Sequence, residues 1–308
     1  MSKDIGIAPG LDTTCPACSR AGRPLRLTKE GRYRLIRCGG CRTEYFRPDG
    51  SLREGGRANE SVSEYWEDYK FQMYASPDVQ QDYAARYDRA LSLATGRLGE
   101  IGSVLDVGCG IGNFLAYAQD RQLQASGMDV DSNAVKHARE RGLVAFTPQE
   151  LDEQMPDSSI DAVTMWDVIE HLYEPRPVVQ SLARKVRPGG AMLLETPDAA
   201  FPLRALLLAL HATSGGRVDL TDPLYYWEHK IYFTLAGLKI LLDGAGFDVV
   251  AVRRETSPRA KMHRIFTHAA QERGRLGDRF LAGAWPLMES AARRTRIANK
   301  LVVVARKR

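Results

Sequence analysis

The sequence predicts an α/β protein built on a parallel sheet, with a small cysteine-bearing module ahead of it. Three observations carry this reading. From Ser103 onward, short apolar runs alternate with amphipathic stretches of helical length, the pattern of a parallel sheet covered on both faces. One run passes into a glycine-rich turn, Val104-Leu105-Asp106-Val107-Gly108-Cys109-Gly110-Ile111-Gly112-Asn113-Phe114, which opens a helix. Four of the five cysteines form two C-x-x-C pairs near the N-terminus, Cys15–Cys18 and Cys38–Cys41.

Composition sets the outer bounds. A chain of 308 residues with 44% hydrophobic and 26% charged residues can bury one substantial core plus a small module, so wholesale disorder is excluded. The formal net charge of +5 is only mildly basic and selects no class of partner by itself. The opening MSKDIGIAPG has no apolar run of signal-peptide length. The most apolar stretch, Leu203–Leu210, falls short of the roughly 20 residues that span a bilayer. These features lead us to expect a cytoplasmic protein, whose thiols stay reduced and are available to a metal.

The elements follow in order. Residues 1–50 read as the cysteine module, with a hairpin of Pro24–Leu27 and Tyr33–Arg37 turning near Glu30-Gly31. Residues 51–98 read as a polar linker followed by two leading helices within Glu64–Leu98. The main domain spans 99–308. Strands are expected at Ser103–Val107, Ala125–Asp129, Leu143–Phe146, Ile160–Trp166 and Ala191–Glu195, with helices at Ile111–Arg121, Ser132–Arg141 and Arg176–Val186. The pattern then breaks over an insertion at about 198–230. Its FPLRALLLAL segment reads either as a lid or as a helix packed on the core. A helix at Thr234–Ala245, capped by Thr234, leads to a strand at Phe247–Arg253. A basic, mostly helical excursion at about 255–297 precedes a closing strand, Lys300–Ala305.

The glycine turn narrows the ligand. Gly108, Gly110 and Gly112 space as G-x-G-x-G, whereas the dinucleotide fingerprint G-x-G-x-x-G needs a glycine where Asn113 stands. Asp106, just ahead of the loop, would repel a pyrophosphate but suits an ammonium. Asp129 ends the next strand, one helix and one strand after Gly112, where an acceptor-only carboxylate can take both hydroxyls of a ribose. This combination favours S-adenosylmethionine over a nicotinamide dinucleotide, the competing reading. The alternative for Asp129 is a helix cap. Cys109 reads as a small buried filler.

In the N-terminal module, a short C-x-x-C turn presents two thiolates to one side of a metal, and two such turns complete the tetrahedral set that zinc prefers. Cys15, Cys18, Cys38 and Cys41 are thus the expected ligands of a structural Zn2+ in a zinc ribbon; a redox role for either pair is the alternative. Arg20, Arg23, Arg26, Arg34 and Arg37 give the ribbon a basic face, either solvated or able to meet phosphate.

Taken together, VLDVGCGIGNF, GMDVD, the Pro156–Leu172 block, Val186–Pro197 and His229–Phe247 resemble the class I S-adenosylmethionine-dependent methyltransferases. The likeness is to the subgroup carrying D-x-x-E-H-L, here Asp167 to Leu172, and it covers roughly residues 75–306. It implies a Rossmann-like seven-stranded sheet whose last strand runs antiparallel. It also implies that Trp166 lines the cofactor pocket, although plain core packing would account for that residue too. Gln149 and Glu150 lie where the family contacts adenine, in a stretch that departs from the commoner family pattern. Glu170 and His171 would orient the acceptor or stabilise a turn.

The acceptor side is read from chemistry. His229 follows the aromatic run Tyr225-Tyr226-Trp227 at the end of the insertion, and an imidazole can take a hydroxyl proton near neutral pH. We therefore expect methyl transfer to a small-molecule or glycan-type acceptor at oxygen, with His229 as base; a packed structural histidine is the alternative for that residue. Two alternatives stand beside it: an RNA methyltransferase whose ribbon grips the nucleic acid, and a non-catalytic binding protein of the same fold.

Overall fold

The structure, a computed structural model, describes residues 11–29, 33–48, 68–215, 224–226, 228–273 and 298–308, with residues 283, 287 and 290 standing alone. Its N-terminal strands are β1 (Gly22–Lys29), β2 (Tyr33–Cys38) and β3 (Glu44–Pro48). They pair antiparallel in sequence order, as the hairpin reading expects, and β3 adds a third strand that was not foreseen. The expected turn near Glu30-Gly31 lies outside the described residues, as does the linker before Asp68.

Two helices lead into the main sheet, α1 (Asp68–Ala75) and α2 (Pro77–Leu98). Proline at the first helical position and Asp78 in the first turn suit the start of α2, and Gly99 ends it with a φ of 88°. Val79, Tyr83, Arg86, Tyr87, Ala90, Leu91 and Ala94 make one buried stripe at helical spacing. The helix therefore lies across the sheet with its whole length committed to packing.

The sheet itself contains β4 (Ser103–Val107), β5 (Gln124–Met128), β6 (Ala145–Phe146), β7 (Ile160–Trp166), β8 (Val186–Pro197), β10 (Phe247–Glu255) and β11 (Lys300–Lys307), while β9 (Ile231–Tyr232) belongs to the N-terminal sheet. Its order is β10-β11-β8-β7-β4-β5-β6, with β11 antiparallel to both neighbours and the rest parallel. This is the Rossmann-like, seven-stranded α/β methyltransferase sheet that the resemblance implies. Connecting helices are α3 (Asn113–Gln119), α4 (Ser132–Glu140), α5 (Pro148–Gln154), α6 (Pro175–Lys185) and α8 (Leu235–Asp243). Thr234 caps α8 as expected, accepting from the Gly237 N–H at 3.0 Å.

The insertion carries a helix, α7 (Pro202–Thr213), where the sequence pattern breaks. Its packing is inverted. Arg204 is its buried residue, lying over the rings of Tyr225 and Tyr232 at 4.6 and 3.9 Å, while Leu206 is 62% exposed. The helix is thus anchored by a cation on aromatic faces, with Leu208 packed partly buried against the same cluster. Of the basic excursion, α9 (Arg259–Arg273) is described, and most of 274–297 lies outside the described residues. No helix among the described residues is long and apolar enough to cross a membrane.

Candidate active site

In an open parallel sheet, ligands gather beyond the strand ends where the chain order reverses. Here that point lies between β4 and β7; Asp106, the glycine loop and Trp166 border it, Asp129 follows the neighbouring β5, and Gln149 and Glu150 lie farther out beyond β6. Gly108, Gly110 and Gly112 all take left-handed φ values of 71°, 53° and 81°. Such angles cost other residues free energy, so the loop needs glycine on backbone grounds alone. A Cβ at Gly108 would also come within 2.5 Å of Val168. The Gly108 and Cys109 N–H groups donate to the Met128 carbonyl, pinning the loop to the end of β5.

Asp129 closes this arrangement. One carboxylate oxygen accepts from Gly110 N at 2.8 Å and the other from Asp131 N at 2.9 Å. Asp131, not Asp129, caps α4. Each Asp129 oxygen keeps a second lone-pair direction for a ligand. Asp106 is buried at the end of β4, where its carboxylate accepts from Thr164 at 2.7 Å. Burial pushes its pKa up to about 8, against the Thr164 hydrogen bond and with a contribution from Asp129.

Trp166, at the end of β7, is half-buried against Tyr87 and Phe114, with centroids 4.9 and 5.5 Å away. Its indole Nε1 is buried without a hydrogen-bond acceptor. A buried donor of this kind awaits a ligand or costs free energy. Gln149 and Glu150 stand in the first turn of α5, beyond β6. Glu150 completes a capping box with Thr147 and pairs with Arg139 at 2.7 Å, while Gln149 is exposed.

The structure brings His229 to Glu170 and His171, which come from a distant segment of the chain. Glu170 and His171 lie in a short 3-10 turn (Ile169–His171) after β7, and His229 precedes β9. Glu170 is wholly buried; one carboxylate oxygen accepts from Thr196 at 2.9 Å, and the other lies 3.9 Å from His229 Nε2 without a hydrogen bond. Burial pushes Glu170 up to about 8. The two imidazoles meet edge to face at 4.8 Å, with Tyr226 at 5.2 Å and Tyr232 at 5.5 Å from His229.

Sequence reasoning missed several neighbours of this cleft. Asp167 has a left-handed φ of 58°, and its carboxylate contacts Lys300 and, at 3.4 Å, Lys261. Lys261 also donates to the Tyr83 hydroxyl at 3.0 Å and lies 5.2 Å from the Tyr74 ring. Arg86 forms a buried ion pair with Glu195 and donates to the Thr256 carbonyl. The D-x-x-E-H-L segment flags Asp167. Its lysine partners carry no such signal, being ordinary cations far along the chain.

The cysteines cluster as their spacing requires. The Sγ atoms of Cys15 and Cys41 are 3.6 Å apart, and those of Cys18 and Cys38 are 3.3 Å apart. Thiolates in a tetrahedral zinc site with Zn–S of about 2.3 Å stand about 3.8 Å apart, so the four fit that ion. The contact between Cys15 and Cys41 pulls the Cys41 thiol down and, with burial, pushes that of Cys15 up. Of the arginines in the cysteine module, Arg37 is engaged by Glu44 at 2.6 Å.

Residues 78–252, more than half of the chain, match the family described as methyltransferase domain, and the chain belongs to that family. It is 31% identical over 171 residues to a probable S-adenosylmethionine-dependent methyltransferase of Mycolicibacterium smegmatis, covering 53% of this chain and 56% of that protein. It is 38% identical over 117 residues to a ubiquinone biosynthesis O-methyltransferase of Paracidovorax citrulli, covering 35% of this chain and 48% of the other. The chain thus spans about half the length of these curated relatives. Among solved structures, a SAM dependent methyltransferase from Archaeoglobus fulgidus aligns with a TM-score of 0.49 at 19% identity, over 78% of this chain and 99% of that one.

Proposed function

We propose that the chain transfers the methyl group of S-adenosylmethionine to an oxygen of a small-molecule or glycan-type acceptor. The observation that carries the oxygen assignment is His229 standing 3.9 Å from the buried carboxylate of Glu170. In this reading Asp106 meets the ammonium of the donor and Asp129 its ribose hydroxyls. Trp166 lines the pocket, and Gln149 and Glu150 border the adenine, Glu150 chiefly by holding α5 in place. S-adenosylmethionine supplies an electrophilic methyl on a sulfonium. The chain's own residues hold the acceptor in line and exclude water, which can supply most of the rate. His229 takes the hydroxyl proton, the imidazolium so formed favours the ionised form of Glu170, which offsets its charge, and His171 packs against the ring. O-methyltransferases among the relatives support the choice of oxygen. The four cysteines hold one zinc, completing a zinc ribbon.

The test is a screen of small metabolites, glycans and RNA with labelled S-adenosylmethionine. A product carrying label on a small-molecule oxygen is the expected outcome. Label on RNA, or none on any acceptor despite donor binding, would overturn the reading.

A further inference from the structure

The cysteine module shares more than a chain connection with the acceptor side. β9 pairs antiparallel with β3, Glu44 opposite Tyr232 and Tyr45 opposite Ile231, so two residues of the acceptor segment complete the cysteine-bearing sheet. Phe46 N donates to the Lys230 carbonyl at 2.9 Å, and Lys230 N donates to the Glu170 carbonyl at 2.8 Å. The backbone beside His229 is therefore clamped between the module and the Glu170 turn.

Side chains repeat the connection. The Glu44 carboxylate, 2% exposed, accepts from Arg37 through one oxygen and from the Tyr225 hydroxyl at 2.6 Å through the other. Tyr225 meets Tyr232 at 5.0 Å, and Tyr232 in turn meets His229 and donates to the Tyr226 carbonyl at 3.2 Å. Beyond β9, Thr234 donates to the carbonyl of Cys41 at 2.6 Å. A buried carboxylate bonded to a cation and a hydroxyl holds its partners more firmly than neutral hydrogen bonds would.

We infer that the cysteine module positions the acceptor site, with Glu44 as a positioning residue that sets the His229 segment through Tyr225, and the metal-holding loop fastened to the same segment through Cys41 and Thr234. The inference rests on the reading of His229 as acceptor-side base. It makes the cysteines part of the site's geometry rather than of a detachable domain. Glu44 touches no reacting group; it acts through Tyr225 and the backbone.

The experiment reads His229 directly. Carbon-edited NMR at fixed pH resolves imidazole Cε1–Hε1 peaks, and His229→Gln identifies the one that disappears. Ring currents from Tyr226, Tyr232 and His171 make that peak sensitive to small displacements. Glu44→Ala and Tyr225→Phe should each move it, while His137 and His263 stay in place and S-adenosylhomocysteine affinity and bound zinc are unchanged. Glu44→Gln still accepts from Tyr225 and should restore the peak. Chelating the zinc should displace it as Glu44→Ala does. A His229 peak unmoved in Glu44→Ala and Tyr225→Phe would overturn the inference, and so would movement of all imidazole peaks together, the sign of general loosening. Retained turnover in His229→Gln would remove the base assignment but not the positional coupling, so the two failures are distinguishable.

Discussion

At Asp106 burial opposes charge, and the conflict can be measured. With its carboxyl held up to about 8, the folded chain keeps a proton that the unfolded chain releases in the usual carboxylate range. The folded state therefore binds more protons between about pH 4 and pH 8, and this group's contribution to stability falls as pH rises through that window. Pairing with a ligand ammonium requires the proton to leave. S-adenosylhomocysteine affinity should accordingly rise from pH 6 to pH 8, and calorimetry in buffers of different ionisation enthalpy should register proton release. A flat profile would place the ammonium elsewhere. Asp129→Ala should weaken the same ligand by about 1.5–3 kcal/mol for each hydrogen bond lost to the charged oxygens, as an upper range. Because Asp129 also accepts from Gly110, Asp129→Asn, which keeps one carbonyl acceptor, should lose less. For His229→Ala, turnover on the acceptor should drop about 10²–10⁴-fold with donor affinity nearly unchanged. Full activity in that variant would leave alignment as the whole of the chemistry.

Among the elements, the glycine turn depends most strictly on sequence. Gly108→Ala places a side chain at a φ of 71° and against Val168, so we expect a loss of about 1–3 kcal/mol in denaturant melts together with lost cofactor binding. A variant that melts and binds like the parent would remove the turn from the site. This loop and the paired C-x-x-C turns were legible in the sequence because their chemistry confines residue type and spacing locally. The strands of the main sheet were legible through their continuous apolar runs. α5 was not, because PQELDEQ buries only Leu151 and shows no periodicity. β9 is two residues long, too short for any pattern, and its pairing with β3 depends on tertiary contact. The face of α7 reads backwards, since leucines ordinarily mark the inside and here Arg204 does. Glu170, His171 and His229 were each visible, but their meeting required the fold. Lys261 and Lys300 were invisible because a cation's buried partner cannot be read from its own surroundings in the chain.

Across the whole molecule, two long-range ties hold the cleft. Arg86 from α2 and Glu195 from β8 are both buried, and breaking such a pair leaves an uncompensated charge inside; Glu195→Leu should cost about 3–5 kcal/mol in denaturant unfolding. The second tie is the union of β3 with β9, where Tyr45 pairs with Ile231. Metal analysis should return one zinc per chain, and its removal should lower the melting temperature of the entire protein in a single transition. A separate early transition confined to the N-terminal residues would mean the module folds alone. The same union has a consequence for biosynthesis. The edge of β3 leaves the ribosome long before its partner exists, Ile231 following Tyr45 by 186 positions in the chain. At roughly 5–20 residues per second, the wait is about 10–40 s. Throughout that interval an unpaired edge displaying Tyr45 and Phe46 is open to pairing with other chains, the hazard of every bare strand. Nascent chains stalled before Ile231 should therefore form insoluble clusters that full-length chains escape, and slower translation should lower the yield of folded protein.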